Sequence, residues 1–263
     1  MDFHMDDSSK ERFTPRSTID HYTSRHNISV DDIGVAPVVV ISWWRNVVTP
    51  LAEKIGARTP THWIYGQRQP FFTGQISGRS ISLLQAPVGA PGTVMIMEEL
   101  IACGAHTFLG LGWAGSLQPH APIGTLLIPT SCVREEGTSF HYLDGSEELA
   151  PPGWMVRLLR RQAEKEGSQI VAGPLWTTDA PYRELVSKIN TYAEQGVLGV
   201  DMETSAMYAL GRFRDVRVCN LLVVSDELWH EWHPAFETTE LNEATQLAQR
   251  IILRCLEDDC LFD

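Results

Sequence analysis

The sequence predicts an α/β fold: a single domain with a mixed central β-sheet flanked by helices. Three observations predict it. Apolar runs of strand length alternate along the chain with stretches of helical periodicity. Several runs, such as Val35–Ile41 and Val216–Val224, are continuously apolar, as strands buried on both faces require. Other stretches, at 61–85 and 106–133, read as hairpin-like pairs, which makes the sheet mixed rather than wholly parallel.

Composition sets the outer limits. With 263 residues, 43% hydrophobic and 21% charged, the chain suits one large domain with a full core. No apolar run approaches the ~20 residues of a membrane helix. The polar, acidic start, Met1 to Lys10, lacks the basic and then apolar regions of a secretory signal, so the protein reads as cytoplasmic and without a membrane partner. Lys and Arg total 21 against 33 Asp and Glu, a net charge of −12, and such a surface repels nucleic-acid backbones. A small anion could still be held by one or two local arginines. The five cysteines, Cys103, Cys132, Cys219, Cys255 and Cys260, are scattered and odd in number, as expected of reduced thiols.

Residues 1–34 lack clear periodicity and read as a partly ordered N-terminal arm; residues 35–263 form the domain proper. After the Val35–Ile41 strand, 47–55 reads as a short helix with Pro50 in its first turn. Strands are expected at 61–65, 71–76 and 80–85. Pro91 opens a helix with Val94, Met97, Leu100 and Ile101 on one face and Gly104 at its end. Strands follow at 106–111 and 124–133, an amphipathic helix at 154–167, a strand at 169–176 and a helix at 181–195. Val197–Met202 is a buried strand running into a helix near Glu203. The strand 216–224 and a long helix, 238–256, complete the chain.

Gly110, Gly112 and Gly115 fit the G-x-G-x-x-G pattern after a strand. A dinucleotide site needs a helix to open at the third glycine, with its amides facing the pyrophosphate. Pro119 and Pro122 forbid that helix. The glycines instead let the backbone pass close to a ligand.

Two carboxylates stand where elements change. Glu203 sits where a buried strand becomes a helix, a usual ligand-binding place in α/β sheets. Its carboxylate can accept hydrogen bonds from two vicinal hydroxyls, as on a ribose, or it can cap the helix. Asp226 follows a long apolar strand. Burial there would raise its pKa and make a general acid, unless it only caps the next segment. His230 and His233, three apart, would share one helical face, but no third metal ligand is evident.

Four segments carry a resemblance: Gly89-Ala90-Pro91-Gly92 with Glu98-Glu99-Leu100; Thr107 to Gln118; Arg134 to Tyr142; and Val200-Asp201-Met202-Glu203-Thr204-Ser205-Ala206 with Ser225-Asp226. As an ordered set over roughly 35–255, they resemble the nucleoside phosphorylase and uridine phosphorylase superfamily, which also contains nucleoside hydrolases. The resemblance implies a nucleoside substrate and N-glycosidic bond chemistry. It gives Glu203 the ribose hydroxyls, lays Met202 against the sugar, and has Asp226 beside Ser225 protonate a departing purine. It also implies a homo-oligomer, dimer or hexamer, in which neighbours complete each site. The stretch Trp176 to Glu184 resembles one lining the base pocket in a bacterial branch, which makes Trp176, Tyr182 and Arg183 base-binding candidates; Thr178 and Asp179 could instead cap the following helix.

The phosphate site departs from the family pattern. A Gly-Asp-Pro turn is replaced by Ser42-Trp43-Trp44, leaving Arg45 as the only local cation. Gly110 stands for an arginine, and Trp113 for a threonine or serine. Losing the arginine removes a charge-assisted contact worth roughly 1.5–3 kcal/mol. The nucleophile pocket is therefore expected around Gly89, Gly112, Trp113 and Arg45, with Arg68 donated by a neighbouring subunit. No cofactor is expected beyond inorganic phosphate as co-substrate. Three readings follow: a phosphorylase, a hydrolase in which Glu98, Glu99 or the arm activates water, and a non-catalytic nucleoside-binding protein. His4, His21 and His26 are candidates for a 5′ contact.

Overall fold

The protein is described by a computed structural model covering residues 11–262. The strands are β1 (Val38–Ser42), β2 (Phe71–Ile76), β3 (Arg79–Gln85), β4 (Thr107–Ser116), β5 (Leu126–Glu135), β6 (Ile170–Thr178), β7 (Gly199–Asp201), β8 (Arg217–Glu227) and β9 (His233–Pro234). The helices are α1 (Pro15–His26), α2 (Arg45–Lys54), α3 (Ala90–Ala102), α4 (Gly153–Lys165), α5 (Val186–Glu194), α6 (Thr204–Phe213) and α7 (Thr239–Leu256).

The strands form one mixed sheet in the order β2-β3-β1-β4-β7-β6-β5-β8-β9, and β4 also pairs with β8. The path β4-β7-β6-β5-β8 therefore returns to β4 and closes a five-stranded ring, while β1, β3 and β2 extend from β4 as an open flap. Closure leaves no free edge within the ring itself. Two bulges accompany it. In the β4–β8 pair, Ala114 faces Val224 and Gly115 faces Asp226, so Ser225 is an extra residue on β8. In the β5–β6 pair, Thr130 is skipped between Pro129 and Ser131. A bulge bends its strand and re-aims side chains, and the first one turns Ser225 and Asp226 out of the regular ladder.

Helices cover both sides. One core cluster joins β1, β4, β5 and β8 to α2, α4 and α7; the other joins β1 and β4 to α3 and α6. No helix among the described residues is long and apolar enough to cross a membrane.

Two expectations need correction. The strand at 61–65 is absent. Trp63 instead donates its amide to the Pro60 carbonyl in a turn and stacks on Phe71 at 4.1 Å; burying that indole outweighs the strand preference of the sequence. The 106–133 stretch is not a hairpin, because β5 pairs with β6 and β8 rather than β4. The described part of the 1–34 segment carries a helix. Thr14 caps α1 in a capping box with Ser17, Ile19 is fully buried, and α1 lies on α3. β4 runs through Gly110, Gly112 and Gly115 as one strand, so no helix opens there.

Ring closure depends on close backbone approach at Gly199, where β7 meets β4. A Cβ there would lie 2.6 Å from the Gly115 carbonyl oxygen. Gly199→Ala should destabilise the fold by roughly 1–3 kcal/mol, the usual cost of overpacking. Urea unfolding monitored by far-ultraviolet circular dichroism checks this; an unchanged midpoint would show that the β4–β7 contact is loose.

Candidate active site

The strand-to-helix junction after β7 sets the first wall of the site. Asp201 closes β7, Met202 is half-buried, and Glu203 precedes α6 with 6% of its surface exposed. Glu203 occupies the helix N-cap position but makes no capping bond. Its Oε1 instead accepts the Gly89 amide at 2.6 Å. Gly89 has φ +100°, a conformation open to glycine and strained for other residues. That is why the turn into α3 can aim an amide at the carboxylate.

Asp201 is the buried neighbour of Glu203. It accepts from Thr177 Oγ1 at 2.7 Å, from the Thr204 amide at 3.0 Å and from the Thr204 hydroxyl. Burial raises both carboxyls, and the charge on Asp201 raises Glu203 further. With three donors, Asp201 is the better-stabilised anion, so the proton of this pair resides on Glu203.

The opposite wall is the bulged end of β8. Asp226 Oδ1 accepts from Ser225 Oγ at 2.7 Å, and Oδ2 accepts from the Trp232 indole N–H at 3.0 Å. Gly115 leaves room beside it, since a Cβ there would come within 3.4 Å of Asp226 Oδ2. Glu184 faces the same space. Burial and the charge of Asp226 push its carboxyl up to about 7.

These walls enclose a cavity of about 620 Å³, lined by Met202, Glu203, Ser225, Asp226, Glu184 and Tyr182 together with Trp43, Trp44, Trp113, Trp232 and Phe236. The indoles of Trp44 and Trp113 stack at 4.4 Å, and Trp113 Nε1 donates to Thr245 on α7 at 3.2 Å. No Lys, Arg or His of the described residues lines the cavity, whereas Glu184, Asp201, Glu203 and Asp226 all do.

Met202, Glu203, Ser225, Asp226, Tyr182 and Trp113 are thus brought together, with Gly89 behind Glu203. The others are not. Trp176 is fully buried and packs at 5.0 Å on Tyr192 of α5. Strand alternation explains it: Trp176 faces α5 while its neighbour Thr177 faces inward to Asp201. Arg45, at the start of α2, is exposed outside the cavity, and so are Arg68 and Arg183 on their turns. Gly112 lies beneath Trp43, whose ring a Cβ would meet at 2.6 Å, and Gly110 points into buried Asn220. An arginine at 110 could not enter this cavity without displacing Asn220.

The supporting candidates also lie elsewhere. Glu98 is paired with Arg214, and Glu99 accepts from the Tyr65 hydroxyl at 2.5 Å. Asp179 ties the Gly137 amide at 2.8 Å, while Thr178 accepts the Ala180 amide. His230 and His233 flank Glu227 at 3.5 and 3.6 Å in a non-helical segment. Among the described residues no cluster of three or more His, Cys, Asp or Glu suits a metal ion. His21 and His26 lie exposed on α1, and His4 is outside the described residues.

Sequence reasoning missed Glu184. It was visible as a carboxylate closing the Trp176–Glu184 stretch, but a helix from 181 would have left it on an exposed first turn. The chain instead makes a short 3₁₀ turn, Pro181–Arg183, before α5 starts at Val186, and Glu184 turns inward.

A strand-to-helix carboxylate facing a bulged Ser-Asp pair across an aromatic cavity is a site on a closed mixed α/β sheet with flanking helices. The chain belongs to the phosphorylase superfamily, whose family pattern matches residues 37–257. Among its relatives, a uridine phosphorylase from Treponema pallidum (strain Nichols) is 30% identical over 164 residues, spanning 58% of this chain and 64% of that protein. A guanosine phosphorylase from Halorubrum lacusprofundi is 28% identical over 151 residues, or 57% of this chain and 63% of that one. The chain thus spans less than two thirds of either relative. A solved purine nucleoside phosphorylase from Toxoplasma gondii, in complex with immucillin-H, shares the fold with a TM-score of 0.78 at 22% identity, over 88% of this chain and 93% of that one.

Glu184 makes stability pH-dependent with a definite sign. Its folded pKa of about 7 exceeds the unfolded value of 4.5, so the folded state holds more protons between these pH values and stability falls as pH rises through them. Melting temperatures of wild type and Glu184→Gln from pH 4.5 to 8 should show wild type losing stability relative to the variant. A constant difference would mean that the carboxyl is not buried as described.

Proposed function

We propose that this protein cleaves the N-glycosidic bond of a nucleoside, purine by preference, and passes the ribosyl group to phosphate, the acceptor implied by the names of its phosphorylase relatives. The observation that carries this reading is the convergence of Met202 and Glu203 with Ser225 and Asp226 on one cavity. Ribose 2′ and 3′ hydroxyls would donate to Glu203, releasing its proton and exchanging the desolvation cost for two charge-assisted bonds. Met202 lies against the sugar. As the bond lengthens, the ring gains oxocarbenium character, and the carboxylates around the cavity stabilise that charge. At the other wall a carboxyl protonates the leaving base, with Asp226 the residue implied by family resemblance. The aromatic side chains supply faces for the base and exclude water.

Phosphate is the demanding part. Among the described residues four carboxylates and no cation line the cavity, so a dianion needs positive charge from beyond this wall. Arg68, exposed on its turn, would supply it from a neighbouring subunit, which makes a homo-oligomer part of the proposal. The same observation favours a second reading, hydrolysis: water carries no charge to repel. A purely nucleoside-binding role leaves the pair of carboxyl walls without a use.

Incubation of the protein with inosine, adenosine and uridine, with and without phosphate, tests the reading. Phosphate-dependent base release supports phosphorolysis, phosphate-independent release supports hydrolysis, and binding without release contradicts both. Glu203→Gln should weaken binding of a ribonucleoside more than of its 2′-deoxy counterpart, by about tenfold or more, since a hydrogen bond to a charged group contributes roughly 1.5–3 kcal/mol. Calorimetric titration with inosine and 2′-deoxyinosine checks it; equal losses would remove Glu203 from the hydroxyls.

A further inference from the structure

Asp226 and Glu184 face one cavity but differ in how they are held. Both oxygens of Asp226 accept hydrogen bonds, from Ser225 Oγ and from the Trp232 indole. An indole N–H only donates, so Oδ2 serves it as an acceptor, and Asp226 is thereby fixed in place by a partner on each oxygen. The Glu184 carboxyl has no hydrogen-bond partner among the described residues, and it lies where no Lys, Arg or His lines the cavity to favour its charge. Asp226 on β8 is its charged neighbour; Asp201 and Glu203, at the β7–α6 junction, add negative charge to the same space. Arg183, next in the chain, is exposed and outside it.

We propose that Glu184 is the residue that hands a proton to the departing base, and that Asp226 is the fixed carboxylate that keeps this proton on Glu184 until it is needed. The proposal rests on the glycosidic reading above and changes the assignment of the acid within it. In the step, the O–H bond of Glu184 breaks as an N–H bond forms on the base, and the electron pair of the C1′–N bond leaves with the base. Glu184 is left as a carboxylate beside Asp226. That like-charged pair is unfavourable, so Glu184 recovers a proton from solvent at the open rim beside Tyr182, which is 99% exposed. The elevated carboxyl of Glu184, pushed up to about 7 by burial and Asp226, matches a donor working near neutral pH. Asp226 is then a positioning residue, and Glu184 the catalytic acid.

The test is the pH profile of kcat/KM for inosine cleavage, which reports groups of the free enzyme, in wild type, Glu184→Gln and Asp226→Asn. A donor must be protonated, so wild-type activity should be present below pH 7 and lost above it. Glu184→Gln should lower kcat/KM about 10²-fold or more and remove this alkaline limb. Asp226→Asn should keep the limb but move it to lower pH, because the charge that raises Glu184 has gone. If Asp226 is the acid, the roles reverse: Asp226→Asn abolishes the limb and Glu184→Gln only shifts it, which overturns the proposal. A limb unchanged in both variants also overturns it.

7-Methylguanosine provides a second readout. Its base already carries the positive charge that protonation would supply. The loss caused by Glu184→Gln should be at least tenfold smaller on it than on inosine, and equal losses would point to a damaged fold or site rather than a missing proton. Should wild type release no base from any nucleoside, the glycosidic reading fails and this proposal with it. Should wild type release base and Glu184→Gln match it, this proposal alone fails.

Discussion

Asp201 and Glu203 are separated by one residue, and each is 6% exposed. Two carboxylates held this close and dry repel each other and resist ionisation, so the structure must favour one anion over the other. It does so with donors: Thr177 and Thr204 supply three hydrogen bonds to Asp201, and Gly89 supplies one amide to Glu203. Much of the fold serves that arrangement. β6 places Thr177, the first residue of α6 places Thr204, and the turn into α3 needs glycine at 89. Leaving Glu203 incompletely satisfied is costly to an empty protein and useful to a binding one, because a diol can provide the donors that the protein withholds.

Ring closure puts the other chemistry opposite this pair. In an open sheet of the same strands, the ends of β7 and β8 would not face one cavity. Pairing β4 with both β7 and β8 brings them together, and the Ser225 bulge turns Asp226 toward the interior. The short 3₁₀ turn before α5 then adds Glu184. The outcome is a cavity with acid at both ends, aromatic walls between and, among the described residues, no internal cation. Such a lining favours positive charge inside the cavity and disfavours an incoming anion.

Much of this was legible in the sequence where chemistry is local. The Val200–Ala206 run declares a buried strand turning into a helix, and Ser225-Asp226 closes an apolar strand; both sit where the pattern placed them. Helices α3, α4 and α7 follow from periodicity and caps. Features set by tertiary geometry were not legible. Alternation along β6 decides that Trp176 packs outward on α5 and Thr177 inward, and the sequence does not state which face is which. The reach of Arg45, Arg68 and Arg183 depends on turns whose direction the pattern leaves open. Nothing in the Ser225-Asp226 pair announces that Ser225 bulges out of the β4–β8 ladder, and Glu184 becomes a cavity residue only because the chain delays its helix.

The central claim is that Glu203 meets the ribose while the Glu184–Asp226 pair meets the base. A crystal structure of the Glu184→Gln protein soaked with inosine tests it most directly. The account predicts both ribose hydroxyls within about 3 Å of the Glu203 carboxyl, hydrogen-bonding distance, and the hypoxanthine ring against Asp226 and Trp232. A nucleoside bound outside this cavity, or one reversed so that its base meets Glu203, would contradict it.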